Sequence, residues 1–268
     1  MSRGYDARRK ARRQQARATA EPPPPQSSAD SRRPVVLLPV LVIAAILVAT
    51  AIVGFGAGNG SSRKQIDQEV TGLLAGIPQR GPILGSPDAP VTLQMFADLE
   101  CPTVKRFVES YLPSLIGDWV RTSTVKLEYR SLKTDTVNER TFFNQEEAAL
   151  AAGRQNRMWN FALTFVRQQG EQFTEYATDA FIAHIASQVP DLNIGRWDRD
   201  RKDISLFKPV ALGVHSAHVQ GFYSTPSFEL TGRTDTTAVQ NEIKASLEKD
   251  IQTLSGEAVG DVPILKVG

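Results

Sequence analysis

FADLECPTVKRF, Phe96 to Phe107, holds the only cysteine of the chain and marks the point where a strand hands over to a helix. Upstream, VTLQMFA (Val91 to Ala97) is rich in β-branched and aromatic residues and places Val91, Leu93 and Met95 on one face in period-two alternation, so a strand is expected. Downstream, Phe107, Val108, Tyr111, Leu112, Leu115 and Ile116 recur at helical spacing, and Pro102 suits a first helical turn, where its missing N–H costs nothing. Cys101 therefore belongs at a helix N-terminus. Unpaired backbone N–H groups and the macrodipole favour an anion there, and reactive thiols in such places ionise at roughly 3.5–7.5 rather than about 8.5. A lowered thiol pKa is the expectation. Asp98 and Glu100 oppose it, while Lys105 and Arg106 support it.

After this first helix, VKLEYR (Val125 to Arg130) alternates Val125, Leu127 and Tyr129 as a second strand, which makes a βαβ unit with a right-handed crossover. A polar turn, Lys133 to Arg140, leads into a helical block. Glu146 to Gly170 carries Ala148, Ala151, Trp159, Ala162, Leu163 and Val166; Thr174 or Thr178 is placed to cap a run through Phe181, Ile182, Ile185 and Val189; and a further helix covers part of Phe207 to Val219. In GFYSTPSFELTG (Gly221 to Gly232) a short strand, Ser227 to Leu230, follows Thr225–Pro226. Proline opens strands but does not sit inside central ones, and this context favours a cis bond. Val239, Ile243, Leu247 and Ile251 then mark a C-terminal helix.

The segment ahead of the domain has a different composition. Residues 1–34 carry nine Lys or Arg against Asp6, Glu21 and Asp30, with PPPP at Pro22 to Pro25. Such an arm buries too little apolar surface to offset its ordering entropy, so a disordered basic arm is expected. Val35 to Ala57 contains no charged residue and is long enough to span a bilayer, which needs about 20 apolar residues. It exceeds the roughly 7–15 residues of a signal-peptide apolar region, so a single transmembrane helix is the reading. Positive charge before it outweighs Arg63 and Lys64 after it, which leaves the N-terminus cytoplasmic and the remainder outside. GAGNGSS (Gly56 to Ser62) is a tether, followed by a short amphipathic helix with Val70, Leu73, Leu74 and Ile77 ahead of the turn-rich Gly81 to Pro90.

The arm is strongly basic, and the rest of the chain is mildly acidic, so within the net charge of +2 no nucleic-acid-binding face is expected there. His215 and His218 lie three apart, with only His184 besides, which is a poor basis for a zinc site. No Gly-rich phosphate loop or internal repeat stands out. A papain-like Cys/His pair fits a strand-to-helix thiol followed by proline less well than redox chemistry does.

A strand ending in F-x-D-x-x-C-P at a helix start, a helical insertion, and G-x-x-x-T-P-S-F before the next strand resemble the DsbA-like, thioredoxin-fold family of extracytoplasmic thiol-disulfide oxidoreductases. The resemblance covers roughly residues 81–254. It implies an α/β, thioredoxin-like domain over 81–255 with a helical insertion at about 141–220, after a basic arm (1–34), a transmembrane helix (35–57), and a tether and short helix (58–80), and before a tail (256–268). It also implies that Cys101 attacks substrate disulfides, that Pro102, Thr103 and Val104 complete the helix-start motif with Asp98 before it, and that Thr225 and a cis Pro226 line a substrate groove. No cofactor and no metal are implied.

The departure is Val104, which stands where the family has its second cysteine, giving C-P-T-V. A neighbouring thiol resolves a mixed disulfide with an intramolecular advantage that an outside thiol must supply by concentration. With Cys101 alone, the expected activity is monothiol exchange, isomerase- or reductase-like, on thiols and disulfides of secreted or envelope proteins. Release would fall to another thiol on the substrate or to a partner, an external thiol reductant among them, and the bilayer would be the other partner. The alternative is a peptide-binding module that keeps the cis-proline groove without turnover.

Overall fold

The computed structural model describes residues 64–257 and 265–267. The arm expected over 1–34 and the span expected over 35–57 lie outside the described residues. Among those described, no helix is long and apolar enough to cross a membrane.

A helix over residues 64–74 (α1) leads into two short strands, β1 (Gln79–Arg80) and β2 (Ile83–Leu84), which pair with each other antiparallel. The alternating strand at the centre of the sequence is β3 (Val91–Ala97), buried at Val91, Leu93 and Met95 as its period requires. Next come α2 (Pro102–Ser110), a single turn α3 (Leu112–Leu115), a π-helical turn (Ile116–Val120) and β4 (Val125–Ser131). β3 and β4 are parallel, with Leu93 beside Leu127 and Ala97 beside Ser131, which is the expected βαβ unit.

The helical insertion comprises α4 (Glu139–Gly153), α5 (Met158–Arg167), α6 (Asp179–Gln188), α7 (Ile194–Asp200) and α8 (Phe207–Val219). Asn138 caps α4 by accepting from the Arg140 N–H, and Thr178 caps α6 by accepting from Phe181. Between α4 and α5 the chain reverses through Asn156 at φ 58°, a left-handed conformation that asparagine tolerates. β5 (Ser227–Gly232) then runs antiparallel to β3, α9 (Thr237–Glu257) follows, and β6 (Leu265–Val267) adds to the sheet edge parallel to β5. The sheet order is β1-β2-β4-β3-β5-β6.

One apolar core spans the sheet, α1, α2, the insertion and α9. Phe107 of α2 packs against Phe228 of β5 with ring centroids 5.0 Å apart, and Trp159 and Trp197 are buried. Each such side chain contributes about 1.5–3 kcal/mol by leaving water. The amphipathic helix expected within 58–80 is α1, whose Val70 and Leu74 join the core, and β1 begins the sheet at Gln79. The tail also contributes a strand, β6, that its three residues gave no period to reveal.

The register places the functional stretch. Phe96 lies opposite Ser227, so the chain leaving β3 toward Cys101 and the chain entering β5 from Pro226 emerge side by side.

Candidate active site

Cys101 is the N-cap residue of α2 (φ −71°, ψ 122°), and Pro102 takes the first turn, as the sequence required. The Thr225–Pro226 bond is cis. The cysteine Sγ sits 3.4 Å from the Thr225 carbonyl oxygen, to which the thiol donates. Residues 124 positions apart in sequence thus meet, because neighbouring strands deliver them to one edge. Val104, one turn along α2, is 1% exposed and packs into the core. Thr103, between them, stays partly exposed beside the opening.

Asp98 is fully buried and works as a tie. Its Oδ2 accepts the backbone N–H groups of Thr134, Asp135 and Thr136, each at 2.9 Å, while Oδ1 accepts from the Glu100 N–H and from the Thr136 hydroxyl. Three consecutive amides around one carboxylate oxygen form an anion nest and fix the loop after β4 against the loop before Cys101. Thr134 also shares a 2.7 Å hydroxyl contact with Thr225. From the insertion, Gln169 donates to the carbonyl oxygens of both Leu99 and Cys101. The thiol is therefore held by three segments remote from one another in sequence.

The electrostatics overturn the expected lowering of the thiol pKa. Cys101 is only 4% exposed, and burial pushes its thiol up to about 12. The Asp135 carboxylate adds to this, against a smaller opposite pull from the Thr225 contact and the Val104 amide. The helix start and the nearby Lys105 and Arg106 do not outweigh those two causes. Glu100 is 6% exposed, and burial followed by the neighbouring Asp98 charge pushes its carboxyl up to about 7. Beneath the site lies Glu146, fully buried, accepting from Tyr129 Oη at 3.0 Å and Ser131 Oγ at 2.7 Å; burial pushes it up to about 8.

Cys101 is buried yet borders a cleft. The residue lies on the wall of this cleft of about 350 Å³, which Pro102, Thr103, Arg106, Asp135, Phe173 and Thr225 also line. Asp135 and Phe173 escaped the sequence reading. Asp135 lay in a stretch legible only as a polar turn, and its approach to the thiol follows from the Asp98 nest. Phe173, 65% exposed at φ 65°, stands at the cleft in a conformation no periodicity announces.

A family model described as Thioredoxin matches residues 79–249. The chain is 22% identical over 179 residues to the probable disulfide bond formation protein D of Bacillus anthracis, covering 60% of this chain and 77% of that protein. Over 177 residues it is 22% identical to disulfide bond formation protein D of Bacillus subtilis strain 168, covering 64% and 77%. Among solved structures, oxidised BdbD from Bacillus subtilis superposes with a TM-score of 0.52 at 19% identity, over 65% of this chain and 96% of that one. Wolbachia pipientis alpha-DsbA1 gives 0.51 at 16%, over 65% and 94%. At these identities the structural likeness is one of fold.

Proposed function

The chain belongs to the thioredoxin family, in its DsbA-like form with valine in place of the second active-site cysteine, and from that footing we propose that it is a membrane-anchored, extracytoplasmic thiol-disulfide exchange protein acting through Cys101 alone. The observation that carries this reading is the position of the Cys101 Sγ, 3.4 Å from the Thr225 carbonyl oxygen on the wall of an open cleft. In this reading the span over 35–57 anchors the chain with residues 1–34 in the cytoplasm, and the substrates are disulfides of secreted or envelope proteins. Thr225 lines the groove with the cis Pro226 buried next to it, Asp98 ties the two loops beside Cys101 together, and Pro102, Thr103 and Val104 form the first turn of the helix.

Exchange begins when the Cys101 sulfur attacks one sulfur of a substrate disulfide. The new S–S bond forms as the old one breaks, and the proton of the thiol leaves with the departing sulfur. Val104 supplies no resolving thiol, so release of the mixed disulfide falls to another thiol, on the substrate itself or from outside. The test is to incubate the full-length protein with a disulfide-bonded protein, with and without added small thiol, beside the Cys101→Ser variant. The expected result is a mixed disulfide on Cys101, absent from Cys101→Ser, that is discharged faster when the thiol is added; a chain that never forms it, with or without the thiol, contradicts the proposal.

A second reading, a peptide-binding module without turnover, is favoured by one observation: burial and Asp135 hold the thiol neutral. Peptide binding that is equal in the parent and in Cys101→Ser, with no adduct, selects it.

A further inference from the structure

The cleft beside Cys101 carries a charge pattern that exchange with a protein disulfide leaves unused. Its volume, about 350 Å³, is near the small end of ligand sites, which run roughly 300–1,000 Å³. The rate of exchange depends on access to the sulfur, and a cysteine 4% exposed as a residue at the wall of so small a cleft is reached more readily by a small disulfide than by one embedded in a folded surface.

Two opposite charges line this cleft, from different elements. Arg106 comes from α2, and its Nη2 donates to Thr103 Oγ1 at 3.3 Å. Asp135 comes from the loop after β4; its Oδ1 accepts from Gln172 Nε2 at 2.6 Å, its Oδ2 from Thr134 Oγ1 at 3.0 Å, and its own N–H is bound by Asp98. Both charges are held before any ligand arrives, so little ordering cost remains for binding. A cation and an anion fixed in one small cleft complement a ligand that carries a carboxylate and an ammonium group close together. The hydroxyls of Thr103, Thr134 and Ser224 add neutral polar contacts around them.

We propose that this cleft takes a small disulfide of the amino-acid type, with Arg106 receiving the carboxylate and Asp135 the ammonium group of the half that becomes attached to Cys101. The inference rests on the exchange reading and names a substrate class for it. The step balances without any other oxidant: Cys101–SH and R–S–S–R give Cys101–S–S–R and R–SH. Cys101 is oxidised to the mixed disulfide, one R–S group is reduced to the thiol, and the proton passes from the cysteine to that leaving sulfur.

The experiment times adduct formation on Cys101 of the full-length protein by mass spectrometry, at neutral pH, with two probes: cystine, which is zwitterionic, and bis(2-hydroxyethyl) disulfide, which is neutral. The expected result is a rate ratio favouring cystine by about tenfold or more, the scale of one charge-assisted hydrogen bond. The ratio should collapse toward one in Arg106→Gln and survive in Arg106→Lys, which keeps the charge. Equal rates with the two probes overturn the inference and leave the exchange reading standing. A cystine preference indifferent to Arg106→Gln overturns the assignment of the carboxylate to this cleft. No adduct from either probe overturns both readings together.

Discussion

The sulfur of Cys101 is governed by two opposed residue-level effects. Its place at the start of α2 favours the thiolate, while its burial and the Asp135 carboxylate favour the thiol, and the second pair prevails. The fold therefore favours the neutral thiol at Cys101. Replacing Asp135 by Asn removes one raising cause and leaves the burial. The pKa of Cys101 should fall, so at a fixed pH near 8 a larger fraction is thiolate and alkylation is faster, by about three- to tenfold for a shift of half to one pH unit. Measured iodoacetamide rates for the two chains check this; an unchanged or slower rate in Asp135→Asn shows that the carboxylate does not act on the sulfur. The thiol and the proline were legible because each sits in a local motif. Asp135 was not, since its position depends on its N–H donating to Asp98, 37 residues away.

At the scale of elements, α2 presents Cys101 at its start and buries Val104 one turn on, against the core. A cysteine at 104 would lie beside Cys101, so the variant Val104→Cys should form an internal disulfide under mild oxidation, seen as loss of both free thiols without dimerisation. Free thiols that persist in a folded Val104→Cys chain would mean that the two positions do not face each other. The strands β3, β4 and β5 were readable because seven, seven and six residues suffice to show a period of two. β1 and β2, at two residues each, and β6, at three, are too short to carry one; their pairing is decided by the strands beside them. Gly213 of α8 shows the same limit, since a side chain there would come within 2.8 Å of the Ser131 carbonyl oxygen, a packing demand with no sequence signal.

For the whole molecule, the buried carboxyls make stability depend on pH. Glu146 keeps its proton in the folded chain up to about pH 8, whereas the unfolded chain loses it near 4.5. Between those values the folded state binds more protons, so this residue's contribution to stability declines as pH rises from about 4.5 to about 8 and is level beyond. Glu146→Gln keeps the shape and removes the proton, so its stability relative to the parent should increase with pH across that window, as read from urea midpoints at pH 5 and pH 8. The parallel contribution of Glu100, which runs to about 7, is present in both chains and cancels in the comparison. A pH-independent difference would mean that Glu146 does not titrate in this range. The account as a whole depends on one cysteine that is covered by the fold yet borders a cleft, and the most direct measurement is the mass of the full-length protein after exposure to a small disulfide at neutral pH, native and in urea. It predicts one adduct on Cys101 in the native protein, absent from Cys101→Ser; a native chain that stays unmodified while the unfolded chain is fully labelled would contradict it.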